Sequence, residues 1–67
     1  MTKEEYIDRF ITLDTCFEMA KNSGDEKEAS KIGSEIMALH IQMRTELTDE
    51  ECYEVNDVLD AVLLNGE

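Results

Sequence analysis

The side chains with the most obvious chemistry in this chain are carboxylates near its C-terminal end. Glu50, Glu54 and Asp57 follow one another at intervals of four and three residues, which places them on one side of an α-helix. Residues 48–67 contain seven Asp and Glu and no Lys or Arg. Such a cluster binds a divalent cation or meets a positively charged surface, unless it is simply a solvated acidic face.

The metal-binding interpretation depends on a local motif. Glu50-Glu51-x-x-Glu54 resembles half of the metal-binding signature of the all-α nucleotide pyrophosphohydrolases, in which carboxylates on paired helices hold Mg²⁺ near a triphosphate. The other half of that signature is a Glu-x-x-Asp further along the chain. Asp57-x-x-Asp60 comes too early and lies on the same predicted helix. We therefore expect no catalytic activity, no metal site and no cofactor.

Apolar side chains lie among these carboxylates and could be buried when a partner binds. The favoured interpretation is a non-catalytic adaptor or inhibitor that docks on a basic surface of another protein. In shape and charge the chain resembles the small acidic proteins that phages encode to block host factors. The residues expected to contact the partner are Glu50, Glu54, Asp57, Tyr53, Ala61 and Leu64.

The net charge limits the partners of the chain. Seventeen Asp and Glu against six Lys and Arg give a charge of −11 at pH 7, which repels nucleic acids and anionic membranes. The charged N-terminus is not followed by the apolar run of a signal peptide, and two cysteines are too few for a disulfide framework. We therefore expect a cytoplasmic protein without nucleic-acid or membrane partners. A charge this high also occurs in disordered chains, but the periodic apolar residues favour folding.

Capping residues mark where the predicted helices begin and end. Thr2 followed three residues later by Glu5 is a capping box that begins a first helix. Thr48 followed by Glu51 repeats this signature and begins the last helix. Between them, Gly24 lies in a turn signal and suits the left-handed conformation that commonly ends helices.

These signals predict helices over residues 3–22, 25–46 and 49–64, the last one stopped by Gly66. Short connections favour antiparallel neighbours. The predicted fold is therefore an all-α, up-down-up bundle of three helices in a single domain, residues 1–67. Because the second connection is so short, the alternative is a dimer in which the third helix is exchanged between subunits.

The middle helix has the most regular apolar pattern, so we expect the other two helices to cover it. Its main seam recurs at alternating spacings of three and four and consists of Ala29, Ile32, Ile36, Leu39, Met43 and Leu47. A second stripe, formed by Gly33, Met37 and Ile41, lies about 100° further around the helix. Since a helical glycine costs about 1 kcal/mol relative to alanine, Gly33 suggests the close approach of another backbone. This stripe packs inside the bundle or forms a homo-oligomer interface, and we favour the interface.

Four other polar residues suggest an alternative function, in which an oligomer holds a small ligand between its subunits. They are Arg9, Asp14, His40 and Arg44. His40 lies at the edge of the main seam and is expected to be partly buried, without the neighbouring Cys or His that a zinc site needs. Asp14 falls among apolar residues of the first helix and is expected at the rim of the core.

Overall fold

The computed structural model describes residues 1–65 and consists of three helices. They are α1 (Lys3–Asn22), α2 (Glu26–Glu46) and α3 (Asp49–Asn65). No strand occurs within residues 1–65. The predicted all-α three-helix bundle is thus confirmed. The predicted stop at Gly66 lies outside the described residues.

The helices begin where side chains satisfy their free backbone amides. At the start of α1, the Thr2 hydroxyl accepts a hydrogen bond from the Glu5 N–H at 3.2 Å, and the Glu5 carboxylate accepts one from the Thr2 N–H at 2.8 Å. α2 begins one residue later than predicted because Asp25 is its N-cap and accepts from the Glu28 N–H. Gly24 has a φ of +79° in the turn before it, as the turn signal predicts.

The centre of the bundle is α1 and not α2, contrary to our expectation from the apolar pattern. α1 packs extensively against both other helices, whereas α2 and α3 touch each other only sparingly. The Cα atoms span 37 × 25 × 14 Å, so the molecule is wider than it is thick. α2 and α3 therefore lie on two sides of α1, and each keeps an outer face uncovered.

The core forms where all three helices meet. Its buried members come in pairs from α1, α2 and α3: Tyr6 and Phe10, Leu39 and Met43, Val55 and Leu59. A smaller cluster of Ala20, Ala29 and Ile32 fills the other end of the α1–α2 pair. Because α3 contributes to the first cluster alone, its position depends on a few contacts with Tyr6, Phe10 and their neighbours.

The neighbour of Gly33 is an aromatic side chain and not an approaching backbone, which corrects our prediction. A Cβ atom added to Gly33 would lie 3.8 Å from Cε2 of Phe17. That distance is ordinary van der Waals contact, so the Phe17 side chain lies across this turn of α2 without forbidding a methyl group.

The two described glycines therefore respond oppositely to alanine. We expect Gly33→Ala to stabilise the fold by up to about 1 kcal/mol, because alanine is the better helix former and its methyl group fits beside Phe17. Gly24→Ala should destabilise it by about 1 kcal/mol, because alanine is strained in the left-handed conformation. Urea unfolding followed by circular dichroism measures both changes. A destabilised Gly33→Ala protein would contradict the packing described for Phe17.

Candidate functional site

The position of α3 is set at its first turn and along its inner side. The Thr48 hydroxyl accepts a hydrogen bond from the Glu51 N–H at 3.2 Å, and the Glu51 carboxylate accepts one from the Thr48 N–H at 3.1 Å. Further along α3, Val55 and Leu59 are buried in the core. These contacts fix which side of α3 faces α1, and they turn the opposite side to solvent.

All six residues predicted to contact a partner lie on this outer side. At about 100° per residue they fall within an arc of about 100°, and every one is exposed. The apolar members stand out, since Tyr53 is 71% exposed and Leu64 is 72% exposed. We call this surface the acidic face of α3; it consists of Glu50, Tyr53, Glu54, Asp57, Ala61 and Leu64.

One carboxylate of the acidic face is already paired within the chain. Lys3 Nζ lies 2.5 Å from Glu54 Oε2, and this hydrogen bond and charge raise the pKa of Lys3. The other ion pair among residues 1–65 joins the N-terminal ammonium of Met1 to Glu46. Within the described residues, Glu50 and Asp57 thus have no cationic partner, so these two carboxylates of the face are available to an external cation.

Two contributors to this surface were not predicted from the sequence. Lys3 is 51 positions away from Glu54, and no local pattern indicates such a contact. Asp60 is exposed at the border of the acidic face, three residues after Asp57 and four before Leu64. That helical spacing was sufficient to find Asp60 from the sequence.

A second feature is a groove between α2 and α3, which touch each other only sparingly. It encloses about 400 Å³ and is lined by His40, Met43, Arg44, Asp49, Cys52, Tyr53 and Asn56. His40 is exposed here, with its ring centroid 4.5 Å from that of Phe10, so the expectation of a partly buried histidine is wrong. The groove adjoins the acidic face, because Tyr53 belongs to both.

The four residues of the alternative ligand site are not gathered in one place. His40 and Arg44 both line the groove between α2 and α3. Arg9 lines a different depression between α1 and α2, together with Glu35 and Gln42. Asp14 is half-buried on α1 and lines neither of these cavities. Within one chain the structure therefore forms no single site from these four side chains.

The second stripe of α2 is divided as well. Met37 is 66% exposed and Ile41 is 61% exposed, so neither packs inside the bundle. Gly33 is half-buried beneath Phe17. The exposed part of the predicted oligomer interface is thus the apolar pair Met37 and Ile41, one helical turn apart.

Among residues 1–65, no group of three or more His, Cys, Asp or Glu side chains is arranged to hold a metal ion. In the described part of the chain, no helix combines the length and apolarity needed to cross a membrane. Comparisons with models of protein families, with curated proteins and with solved structures found no match.

The capping box that positions α3 should make its stability depend on pH. Hydrogen bonds from the Thr48 N–H and hydroxyl hold the pKa of Glu51 below its usual value of 4.5. The stabilisation due to the Glu51 charge is therefore fully present above pH 4.5 and is lost as the pH falls through the lowered pKa.

We expect Glu51→Gln to be less stable than the wild type at neutral pH, with the difference vanishing in acid. Urea unfolding at a series of pH values measures this difference. In a Thr48→Ala background, which lacks the hydroxyl, the same substitution should have a smaller effect. A difference between wild type and Glu51→Gln that is independent of pH would refute this role of the Glu51 carboxylate.

Proposed function

We propose that this protein is a non-catalytic interaction module, an adaptor or inhibitor, that docks through the acidic face of α3 on a basic surface of another protein. We place this activity in the cytoplasm. The observation that carries the proposal is the exposure of Tyr53 and Leu64, two large apolar side chains, among carboxylates on a helix whose other side is buried.

The apolar members of the acidic face supply the affinity. Complete burial of a side chain the size of leucine contributes about 1.5–3 kcal/mol, and tyrosine is enriched among the residues that dominate binding interfaces. Neither Tyr53 nor Leu64 is used by the core of its own chain. A partner with a shallow apolar pocket on its surface would bury these two side chains.

The carboxylates supply steering and specificity. With a net charge of −11, the chain attracts basic surfaces over about one Debye length, roughly 10 Å in 0.1 M salt. Glu50 and Asp57 then pair with cations of the partner. Glu54 either leaves Lys3 for a cation of the partner or contacts both cations. Because rim charges act mainly on the association rate, binding should weaken as salt is added.

A capture experiment with matched variants tests this function. The immobilised chain is exposed to cell lysate, and the retained proteins are identified by mass spectrometry at low and high salt. The test variant is Glu50→Gln/Tyr53→Ala/Asp57→Asn. The control variant, Asp8→Asn/Glu18→Gln/Met19→Ala, removes the same charge and an exposed apolar side chain from α1.

We expect the wild type and the α1 control to retain the same basic protein, and salt to release it. The purified pair should bind about tenfold more weakly, or worse, with the α3 variant, because a buried tyrosine at an interface contributes about 2 kcal/mol or more. Equal retention by both variants would show that the acidic face is not the binding surface. Retention that is insensitive to salt would contradict the electrostatic part of the mechanism.

A further inference from the structure

The outer side of α2 has the opposite character to that of α3. At about 100° per residue, an arc of about 140° holds ten exposed residues. They are Glu26 and nine others, which we call the basic face of α2: Lys27, Ser30, Lys31, Ser34, Met37, Ala38, Ile41, Arg44 and Thr45. Three of the six Lys and Arg residues of the chain lie on this face. Among the described residues of α2, the one carboxylate on the same arc is that of Glu26, in the first turn.

The basic face is apolar at its centre. Met37 and Ile41 are both exposed and lie between Lys27 and Lys31 on one side and Arg44 on the other. This face remains uncovered because α3 packs on α1 and scarcely touches α2. It is therefore the counterpart of the acidic face, which surrounds Tyr53 and Leu64 with carboxylates.

We propose that the acidic face of α3 in one copy docks on the basic face of α2 in a second copy. This inference rests on the proposed function, because it uses the same acidic face and identifies one partner for it. The contact would bury Tyr53 and Leu64 against Met37 and Ile41, with carboxylates of one copy facing cations of the other. A chain of 67 residues has a small core, so burial between copies also stabilises the fold.

Charge selects this pairing over the symmetric ones. Two basic faces in contact would bring Lys27, Lys31 and Arg44 of both copies together, and two acidic faces would bring carboxylates together. Only the mixed contact joins opposite charges. Each copy then offers its acidic face to one neighbour and its basic face to another. The copies therefore close into a ring, or they extend as an open chain with one unused face at each end.

Sedimentation velocity over a concentration series tests the proposal, at about 20 mM and about 500 mM salt. One variant, Lys27→Glu/Lys31→Glu, replaces two cations of the basic face by carboxylates. Another, Asp57→Lys/Asp60→Lys, replaces two carboxylates on and beside the acidic face by cations. All four residues are exposed. Circular dichroism and thermal melting first establish that each variant is folded.

We expect the wild type to associate at low salt and to dissociate at high salt. Each variant alone should associate at least about tenfold more weakly, and an equimolar mixture of the two should assemble again. Because Asp57→Lys/Asp60→Lys lowers the negative charge of the chain from −11 to −7, weaker association of this variant separates a contact between faces from general repulsion. Asp8→Lys/Glu18→Lys on α1 serves as the control and should associate at least as strongly as the wild type.

Three results would overturn the proposal. They are a wild type that stays monomeric at low salt, unchanged association of Asp57→Lys/Asp60→Lys, and a mixture of the two variants that fails to assemble. Self-association can fail while salt-sensitive capture of a basic protein persists, and then the proposed function stands with a different partner. If self-association holds and no other protein is captured, a second copy is the partner of the acidic face.

Discussion

Every other feature of this protein depends on the packing of α1 between α2 and α3. Tyr6 and Phe10 of α1 are the side chains around which the buried residues of the other two helices gather. A small chain has a small core, and the apolar residues that are buried lie on the inner sides of the helices. The outer sides of α2 and α3 are left to solvent, one with clustered cations and the other with carboxylates. The two uncovered faces are thus a consequence of which helix is central.

The helix boundaries were predictable because the interactions that set them are local. Thr2 with Glu5 and Thr48 with Glu51 form hydrogen bonds across three residues, and Gly24 adopts its positive φ within a single turn. The exposure of the acidic face followed from the same local logic, since a helix that buries one side must expose the other. Nothing beyond helical periodicity was needed to place those residues together.

The arrangement of the helices was not predictable in the same way. The regular seam of α2 suggested a central helix, but a helix with one clean apolar side has one neighbour to cover it. α1 has a less regular pattern, with Ile7 and Ile11 beside Tyr6 and Phe10, because it packs on two sides. Contacts such as that between Lys3 and Glu54 join distant segments, and they follow only from the packing.

The two tyrosines separate the core from the face that we propose for binding: Tyr6 is 0% exposed and Tyr53 is 71% exposed. Acrylamide quenching of tyrosine fluorescence in a Tyr6→Phe protein, where Tyr53 is the one remaining tyrosine, tests this separation most directly. The structure requires strong quenching in the dilute monomer, and our account predicts protection when the acidic face is occupied in the low-salt assembly. A Tyr53 already shielded in the monomer, or equally accessible in the assembly, would contradict the account.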